Sequence, residues 1–290
     1  MDIRAIAMGV AFAVMWSSAF TSARIIVAAA PPLTALSLRF LISGLLGVLI
    51  ARMLGQSWAL TRGQWRATII FGICQNALYL GLNFVAMQTI EAGLAAIIAS
   101  TMPLLVGLAG WLIFGERIGA LGMIGLLAGV VGVVIIMGAR LSGGVDMYGL
   151  MLCVAGVIAL TFATLAVRGA TSGGNFLMIV GLQMLVGSAV LGVAAVSLET
   201  VVVDWSWQFV AAFVYTTLVP GLAATLVWFL LVNRIGAVKA ATFHFLNPFL
   251  GVAIAAMILG EQLGLREMLG VAVIMGGILA VQLSKQKRVA

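Results

Sequence analysis

Long apolar segments fill most of this sequence and constrain its fold more than any other feature. A bilayer core requires roughly 17–25 apolar residues per helix. Ten segments are long enough, at about 4–26, 33–52, 66–88, 92–114, 118–138, 147–167, 176–198, 208–232, 238–259 and 267–285. Hydrophobic residues make up 64% of the chain and charged residues 8%, which excludes a soluble globular domain. The sequence therefore predicts an all-α integral membrane protein with ten transmembrane helices.

The basic residues are unevenly distributed among the connecting segments. If both termini lie in the cytoplasm, 11 of the 15 Lys and Arg residues lie on the cytoplasmic side. The opposite side then holds Arg140 and Arg266, with Arg24 and Arg39 near its membrane surface. This is the bias described by the positive-inside rule. We therefore predict cytoplasmic termini, and we assign the net charge of +7 to topology and lipid headgroups rather than to nucleic acid.

Two Gly-Glu pairs, at 115–116 and 260–261, mark an internal repeat. When residues 84–137 are aligned with residues 229–282 without a gap, 14 of 54 positions are identical, including Pro103 and Pro248. Five helices per repeat is an odd number, so the second copy must cross the membrane in the opposite direction. We predict inverted five-helix repeats at 1–140 and 146–285 and a cytoplasmic tail at 286–290. Inverted repeats of this kind are the basis of alternating access in transporters.

Polar side chains of the third span suggest a cavity. Gln75, Asn76, Tyr79 and Asn83 fall within an arc of about 100° on an ideal α-helix. Polar groups in lipid are costly unless they face protein or water. Hydrogen bonds between helices, worth roughly 0.6–2 kcal/mol each, are the alternative explanation for any one of them. Four on one face favour a substrate cavity.

The ninth span carries a second polar stripe. His244 and Asn247 share a face, and Pro248 removes a backbone donor beside them. His244 is the only histidine in the chain, and it is either a proton carrier or a hydrogen-bonded structural residue. We predict that Tyr79 and Asn83 approach His244 and Asn247 across a cavity near the middle of the bilayer.

Aromatic side chains and Arg39 complete the candidate binding residues. Trp16, Phe162 and Tyr215 could pack on a substrate ring, although most aromatic residues at helical spacing pack or face lipid. Arg39 lies about two turns into the second span. Its guanidinium could bind a substrate carboxylate, or it could extend to the outer headgroups, and the sequence leaves both alternatives open.

Small residues line one face of the fourth and fifth spans. In the fourth they permit a close helix crossing, and Pro103 permits a bend. Ser100 on this face could donate to a substrate or to its own helix. The glycine stripe of the fifth span serves packing, within the fold or between the protomers of a homodimer. Glu116 and Glu261 are expected to cap the helices that follow them.

Several kinds of chemistry lack candidate residues. No Asp or Glu falls in the middle of a predicted span, so carboxylate-based ion coupling has no evident site, and a facilitator is the simpler expectation. The sequence contains no nucleophile–base set, metal-ligand cluster or phosphate-binding loop. We therefore expect neither a cofactor nor a bound metal, and no enzymatic activity.

These motifs resemble those of the drug/metabolite transporter superfamily. The resemblance rests on the Trp-Ser-Ser-Ala-Phe stretch at 16–20, the Leu-Arg-Phe stretch at 38–40, and the Pro followed by Gly-Glu in the fourth and ninth spans. Within the superfamily the chain is similar to the ten-helix EamA-type exporters and to YddG-like aromatic amino-acid exporters. The resemblance implies a bacterial inner-membrane carrier that exports amino acids or related metabolites through a central cavity. The second repeat departs from the first-helix motif, because it reads Leu-Thr-Phe at 160–162.

Other functions remain as alternatives. Within transport, the alternative is a carrier for other metabolites or for drug-like cations, although a cation site would call for a membrane-embedded acid. Outside transport, the alternatives are a channel and a membrane-embedded enzyme. Transport without saturation or counterflow would indicate a channel, and dependence on an added metal or cofactor would indicate an enzyme.

Overall fold

Ten long helices make up the structure, a computed structural model that describes residues 3–142, 144–166, 173–262 and 264–289. Each of them is long and apolar enough to span a membrane, as judged on the described residues. They are α1 Ile3–Ala29, α2 Pro32–Met53, α3 Arg62–Ala86, α4 Ala92–Phe114, α5 Ala120–Ser142, α6 Met147–Ala166, α7 Phe176–Leu198, α8 Trp207–Ile235, α9 Lys239–Leu259 and α10 Leu265–Val289. The predicted all-α fold with ten spans is confirmed.

The outer surfaces of these helices are apolar. Leu49 is 57% exposed, Val134 64% and Val196 88%. In water such a surface would be strongly unfavourable, whereas in lipid it is solvated. The exposed positions therefore indicate which faces the acyl chains cover, and polar side chains such as Ser43 and Asn83 are buried instead.

The helices form two compact units, each of which contains helices from both predicted repeats. Unit one comprises Met1–Thr21, Ile90–Leu150 and Ala224–Ala290. Unit two comprises Ser22–Thr89 and Met151–Ala223. The repeat boundaries at 1–140 and 146–285 stay a prediction about sequence, because compactness groups the helices differently.

Unit one is built around a close crossing of α5 and α10. A Cβ atom added to Gly125 would lie 2.7 Å from the carbonyl oxygen of Gly277, and the reverse substitution gives the same distance. A Cβ added to Gly132 would lie 2.9 Å from the Gly270 carbonyl oxygen. Adding 145 to 125 and 132 gives 270 and 277, so the repeat offset exchanges the two contacts. The glycine stripe of α5 therefore packs within the fold, in the pattern that inverted repeats require.

Unit two has the equivalent crossing between α2 and α7. The hydroxyl groups of Ser37 and Ser188 each donate to the other residue's backbone carbonyl oxygen at 2.9 Å. About two helical turns further along both helices, Gly44 and Gly181 are in close backbone contact. An offset of 144 relates 37 to 181 and 44 to 188, which again exchanges the two contacts. The early helices of the repeats are thus one residue out of step with the later ones.

Side chains from one repeat also cap helices of the other in unit two. The Glu199 carboxylate, at the end of α7, accepts hydrogen bonds from the backbone N–H groups of Leu33 and Thr34 at 2.8 Å. The side-chain oxygen of Gln56, just after α2, accepts from the Met178 N–H at 3.0 Å. Both caps satisfy N–H groups that the first turn of a helix leaves without partners. Each helix of the α2/α7 pair therefore has its start fixed by the other.

The predicted role of Glu261 is wrong in its target. Its carboxylate accepts from the N–H groups of Ala92 and Gly93, at 2.7 and 2.8 Å, at the start of α4. The chain turns at Gly260, which has a left-handed conformation, and the Glu261 side chain that follows caps α4 rather than the next helix. The N-terminal partial charge of a helix attracts any carboxylate that lies close to it in space, whether or not that residue is close in sequence.

Four of the spans are not regular α-helices throughout. In α3 the segment Gly72–Tyr79 is a π-helix, and in α8 the segment Val219–Ala223 is another. The α4 span is interrupted at Thr101, two residues before Pro103, where a bend was expected. The α9 span has a 3₁₀ segment at Thr242–Leu246, before Pro248. Proline residues and π-helical turns leave backbone groups without their usual helical partners. These irregular segments are therefore candidate functional regions.

Candidate functional site

The polar stripe of α3 lies in unit two and has a different shape from the predicted one. Asn76, Tyr79 and Asn83 are buried, whereas Gln75 is only half-buried. The prediction assumed 3.6 residues per turn, but the π-helical hydrogen bonds join residues five apart and widen the turn. Asn76 packs on Gly187 of α7, where an added Cβ would lie 2.4 Å from the Asn76 Cβ.

Asn83 has hydrogen-bonding capacity that the protein does not use. Its Nδ2 donates to the Tyr79 carbonyl oxygen at 2.8 Å. Its Oδ1 is enclosed and has no hydrogen-bond partner among the described residues. Both residues lie against Gly156 of α6, where a Cβ would be 2.6 Å from Asn83 Nδ2. A buried acceptor without a donor costs about 1–3 kcal/mol, so Asn83 is suited to receive a donor from a bound molecule.

The α9 stripe lies in unit one and forms a hydrogen-bonded series. Asn247 Nδ2 lies 2.9 Å from His244 Nδ1, and Ser17 Oγ lies 3.5 Å from both the backbone oxygen and Oδ1 of Asn247. An amide nitrogen can only donate, so His244 Nδ1 accepts and the proton of the neutral ring is on Nε2. Protonation of Nδ1 would break this bond.

Aromatic rings surround His244 in unit one. Phe12 and Trp228 contact the imidazole edge-on, at centroid distances of 5.4 and 5.1 Å. Phe12 also lies 5.7 Å from Trp16, a predicted binding residue. Sequence reasoning missed Phe12, which gives no signal of its own in an apolar helix.

Arg39 is buried in unit two, with 5% of its surface exposed. Its Nε donates to the Thr216 carbonyl oxygen of α8 at 3.2 Å. The usual α-helical donor to that oxygen would be the N–H of residue 220, and Pro220 has none. The side chain therefore does not extend to the headgroups, which was the alternative interpretation of its place in the sequence.

Ser43, one helical turn beyond Arg39, acts on the same part of α8, the π-helical segment Val219–Ala223, which we name the Pro220 bend. Its hydroxyl donates to the Thr217 carbonyl oxygen at 3.1 Å. Gly221 permits this approach, because a Cβ there would lie 3.1 Å from the Thr216 oxygen and 3.2 Å from Ser43 Oγ. The sequence contained a signal for this site, since Pro220 falls inside the predicted eighth span.

The remaining predicted residues are more scattered. Ser100 Oγ donates to the Ala96 carbonyl oxygen at 2.6 Å, within its own helix. Phe162 is 59% exposed and Tyr215 is 37% exposed. The Thr21 hydroxyl, which was not predicted, is enclosed without a hydrogen-bond partner among the described residues.

The predicted residues divide between the two units. Unit two contains the candidates from α2, α3, α6 and the first part of α8, which are Arg39, Gln75, Asn76, Tyr79, Asn83, Phe162 and Tyr215. Unit one contains Trp16, Ser100, His244 and Asn247. The approach of Tyr79 and Asn83 to His244 and Asn247 stays a prediction.

Comparison with known proteins places the chain in a family. The sequence model of the EamA-like transporter family matches residues 3–138 and 147–283. The uncharacterized transporter YvbV of Bacillus subtilis (strain 168) is 27% identical over 269 residues, which cover 92% of this chain and 88% of that protein. The uncharacterized inner membrane transporter YedA of Escherichia coli (strain K12) is 27% identical over 280 residues, which cover 94% of this chain and 88% of that protein.

A solved crystal structure has the same fold. It superposes with a TM-score of 0.70 and covers 98% of this chain and 99% of that one. The two sequences are 20% identical, so the likeness concerns the fold alone. With ten spans, reciprocal contacts between the repeats and a family match over both halves, the chain belongs to the EamA-like transporter family.

Proposed function

We propose that the protein exports amino acids, chiefly aromatic or other apolar ones, and related metabolites by alternating access. The observation that carries the proposal is the reciprocal packing of the inverted repeats. Gly125 contacts Gly277 as Gly132 contacts Gly270, and Ser37 and Ser188 exchange equivalent hydrogen bonds. Two copies of one fold in opposite orientations can exchange conformations, which gives access to each side of the membrane in turn.

Unused hydrogen-bonding groups support binding of a polar but largely apolar solute. The enclosed Asn83 Oδ1 suits a donor such as a substrate ammonium group. The His244–Asn247 pair offers both donor and acceptor atoms beside aromatic rings. In unit two, an aromatic side chain of a substrate would pack on the Tyr79 ring while the Asn83 amide binds its amino group.

The proposed location is the cell membrane of a bacterium, with both termini in the cytoplasm. The distribution of 11 of 15 basic residues supports this orientation. A relative, YedA, has the inner membrane in its name. We further propose that transport is facilitative, with His244 as the one conventional titratable group available if a proton is coupled.

A counterflow experiment tests the proposal. The purified full-length chain is reconstituted in proteoliposomes that are preloaded with one unlabelled amino acid of a panel, and uptake of the labelled form is followed. A carrier gives a transient, saturable accumulation for aromatic or apolar amino acids. Flux that neither saturates nor shows counterflow would make the protein a channel. Counterflow with other metabolites or drug-like cations alone would overturn the proposed substrate class.

A further inference from the structure

The guanidinium group of Arg39 has more donors than the protein uses. It makes one hydrogen bond, from Nε to the Thr216 carbonyl oxygen, and its Cζ lies 5.0 Å from the centroid of the Phe40 ring. No other interaction of Arg39 is found among the described residues, and no carboxylate pairs with it there. Four N–H donors on Nη1 and Nη2 therefore have no acceptor from the protein.

A buried cation of this kind is costly. Removing an ammonium or guanidinium from water costs several kcal/mol unless an anion and hydrogen bonds compensate. A single neutral carbonyl is a weak compensation. Only 5% of the Arg39 surface is exposed. Its Nη atoms are nevertheless not among the fully enclosed polar atoms that lack a partner. An anion from outside the chain could therefore reach them and supply the compensation that the described residues do not.

The Pro220 bend fixes which face of the guanidinium is available. Because Nε is committed to the Thr216 carbonyl oxygen, the side-on edge formed by Nε and one Nη is taken. The end-on edge formed by Nη1 and Nη2 is left, and it matches the two oxygens of a carboxylate. Gly221 lies beside this edge, since an added Cβ there would lie 3.7 Å from Nη2, in van der Waals contact.

We propose that Arg39 binds the carboxylate of the transported molecule through its two Nη atoms, and that the Pro220 bend of α8 orients it for this purpose. This inference rests on the proposed export function and deepens it, because it specifies that the transported molecules carry a carboxylate. Ser43 has a different task. It donates to the neighbouring Thr217 carbonyl oxygen and stabilises the bend without touching the anion.

Matched acids and amides test the proposal on the purified full-length chain. Thermal stabilisation in detergent is measured with 3-phenylpropionate and its amide, and counterflow with phenylalanine and phenylalaninamide. The wild-type chain should prefer each acid to its amide. Arg39→Gln should lose at least about tenfold in affinity for the acids and nearly all of the preference. Arg39→Lys, which keeps the charge but not the planar fork, should give an intermediate result.

A structural role for Arg39 predicts different results. Ser43→Ala removes the other hydrogen bond to the bend, so it controls for a loosened α8 and should keep the preference for acids. Unchanged acid preference in a well-folded Arg39→Gln or Arg39→Lys chain would overturn the proposal, as would an equal loss of preference in Ser43→Ala.

The remaining outcomes separate this inference from the export function. If the acids bind and Arg39→Gln abolishes binding, but no amino acid is transported, the anion site stands and the proposed function fails. If amino acids are transported equally well by Arg39→Gln, the function stands and the anion site fails. Stronger stabilisation by inorganic phosphate or glycerol phosphate than by the carboxylates would assign Arg39 to a phosphate source and overturn the proposal.

Discussion

Ser37 of α2 and Ser188 of α7 exchange hydrogen bonds, each hydroxyl donating to the backbone carbonyl oxygen of the other at 2.9 Å. The two hydroxyl oxygens also lie 3.4 Å apart. Neither residue is charged or bulky, and neither attracts notice in the sequence. Their reciprocal hydrogen bonds nevertheless show, in one pair of side chains, how the two repeats pack symmetrically within unit two.

This pair should lose stability symmetrically. Ser37→Ala and Ser188→Ala should each cost about 0.6 kcal/mol, the average measured for hydrogen bonds between membrane helices. The two costs should be similar, because the two bonds have the same length and each is donated to a backbone oxygen. The free energy of unfolding in mixed micelles measures both. A large effect for one serine and none for the other would contradict the reciprocal arrangement.

The α5/α10 crossing should reject a single added methyl group. Gly277→Ala places a Cβ 2.7 Å from the Gly125 carbonyl oxygen, so the helices must separate, at a cost of about 1–3 kcal/mol. Gly276→Ala is the matched control, because a Cβ there has nothing within 4 Å. Thermal unfolding of the two variants gives the comparison directly. Equal midpoints would show that α5 and α10 are not in close contact.

The two buried amides should matter for substrate rather than for folding. Asn83→Ala and Asn247→Ala should each weaken substrate binding by roughly 1–3 kcal/mol, the cost of leaving a polar partner unsatisfied. Protein amount in the membrane should stay near the wild-type level. Asn233→Ala, at an exposed position of α8, is the control. If both variants transport at wild-type rate and affinity, these residues are packing groups.

Labelling with a membrane-impermeant thiol reagent tests the orientation. The native Cys74 and Cys153 are first replaced, and single cysteines are introduced at Ser142, Ser206 or Ser57. We expect the loops at 141–146 and 199–206 to face the periplasm, so the first two sites should react in intact cells. The Ser57 position should react only after lysis. The opposite pattern would invert the topology.

The transmembrane spans could be predicted because their signal is one of length and composition, which needs no knowledge of contacts. An irregularity of α4 near Pro103 could be expected because proline lacks an N–H, and the helix is interrupted at Thr101. The target of Glu261 could not be predicted from its neighbours, because the helix start that it caps is 168 residues away in sequence.

The sequence identifies candidate site residues by their polarity, but it does not give their geometry. An α-helical wheel places Gln75 on the same face as Asn76. The wider π-helical turns at Gly72–Tyr79 change which residues share a face. No residue type in that segment indicates a π-helix. Arg39 was identifiable as unusual from its charge alone. Its hydrogen bond to Thr216 could have been anticipated, because Pro220, like Pro248, lacks a backbone N–H and leaves the carbonyl oxygen one turn earlier without its usual donor.

The one-residue difference between the two offsets allows Arg39 to be matched with its counterpart. Adding 144 gives Gln183, a neutral residue at the equivalent position of α7, whose backbone oxygen lies next to Gly72. The two repeats are parts of one chain, so their equivalent positions need not carry the same residue. The positive charge now belongs to one half only. If the protein works by the alternating access proposed above, the two exchanged conformations are not equivalent at this position, and we expect them to differ in energy before any solute binds.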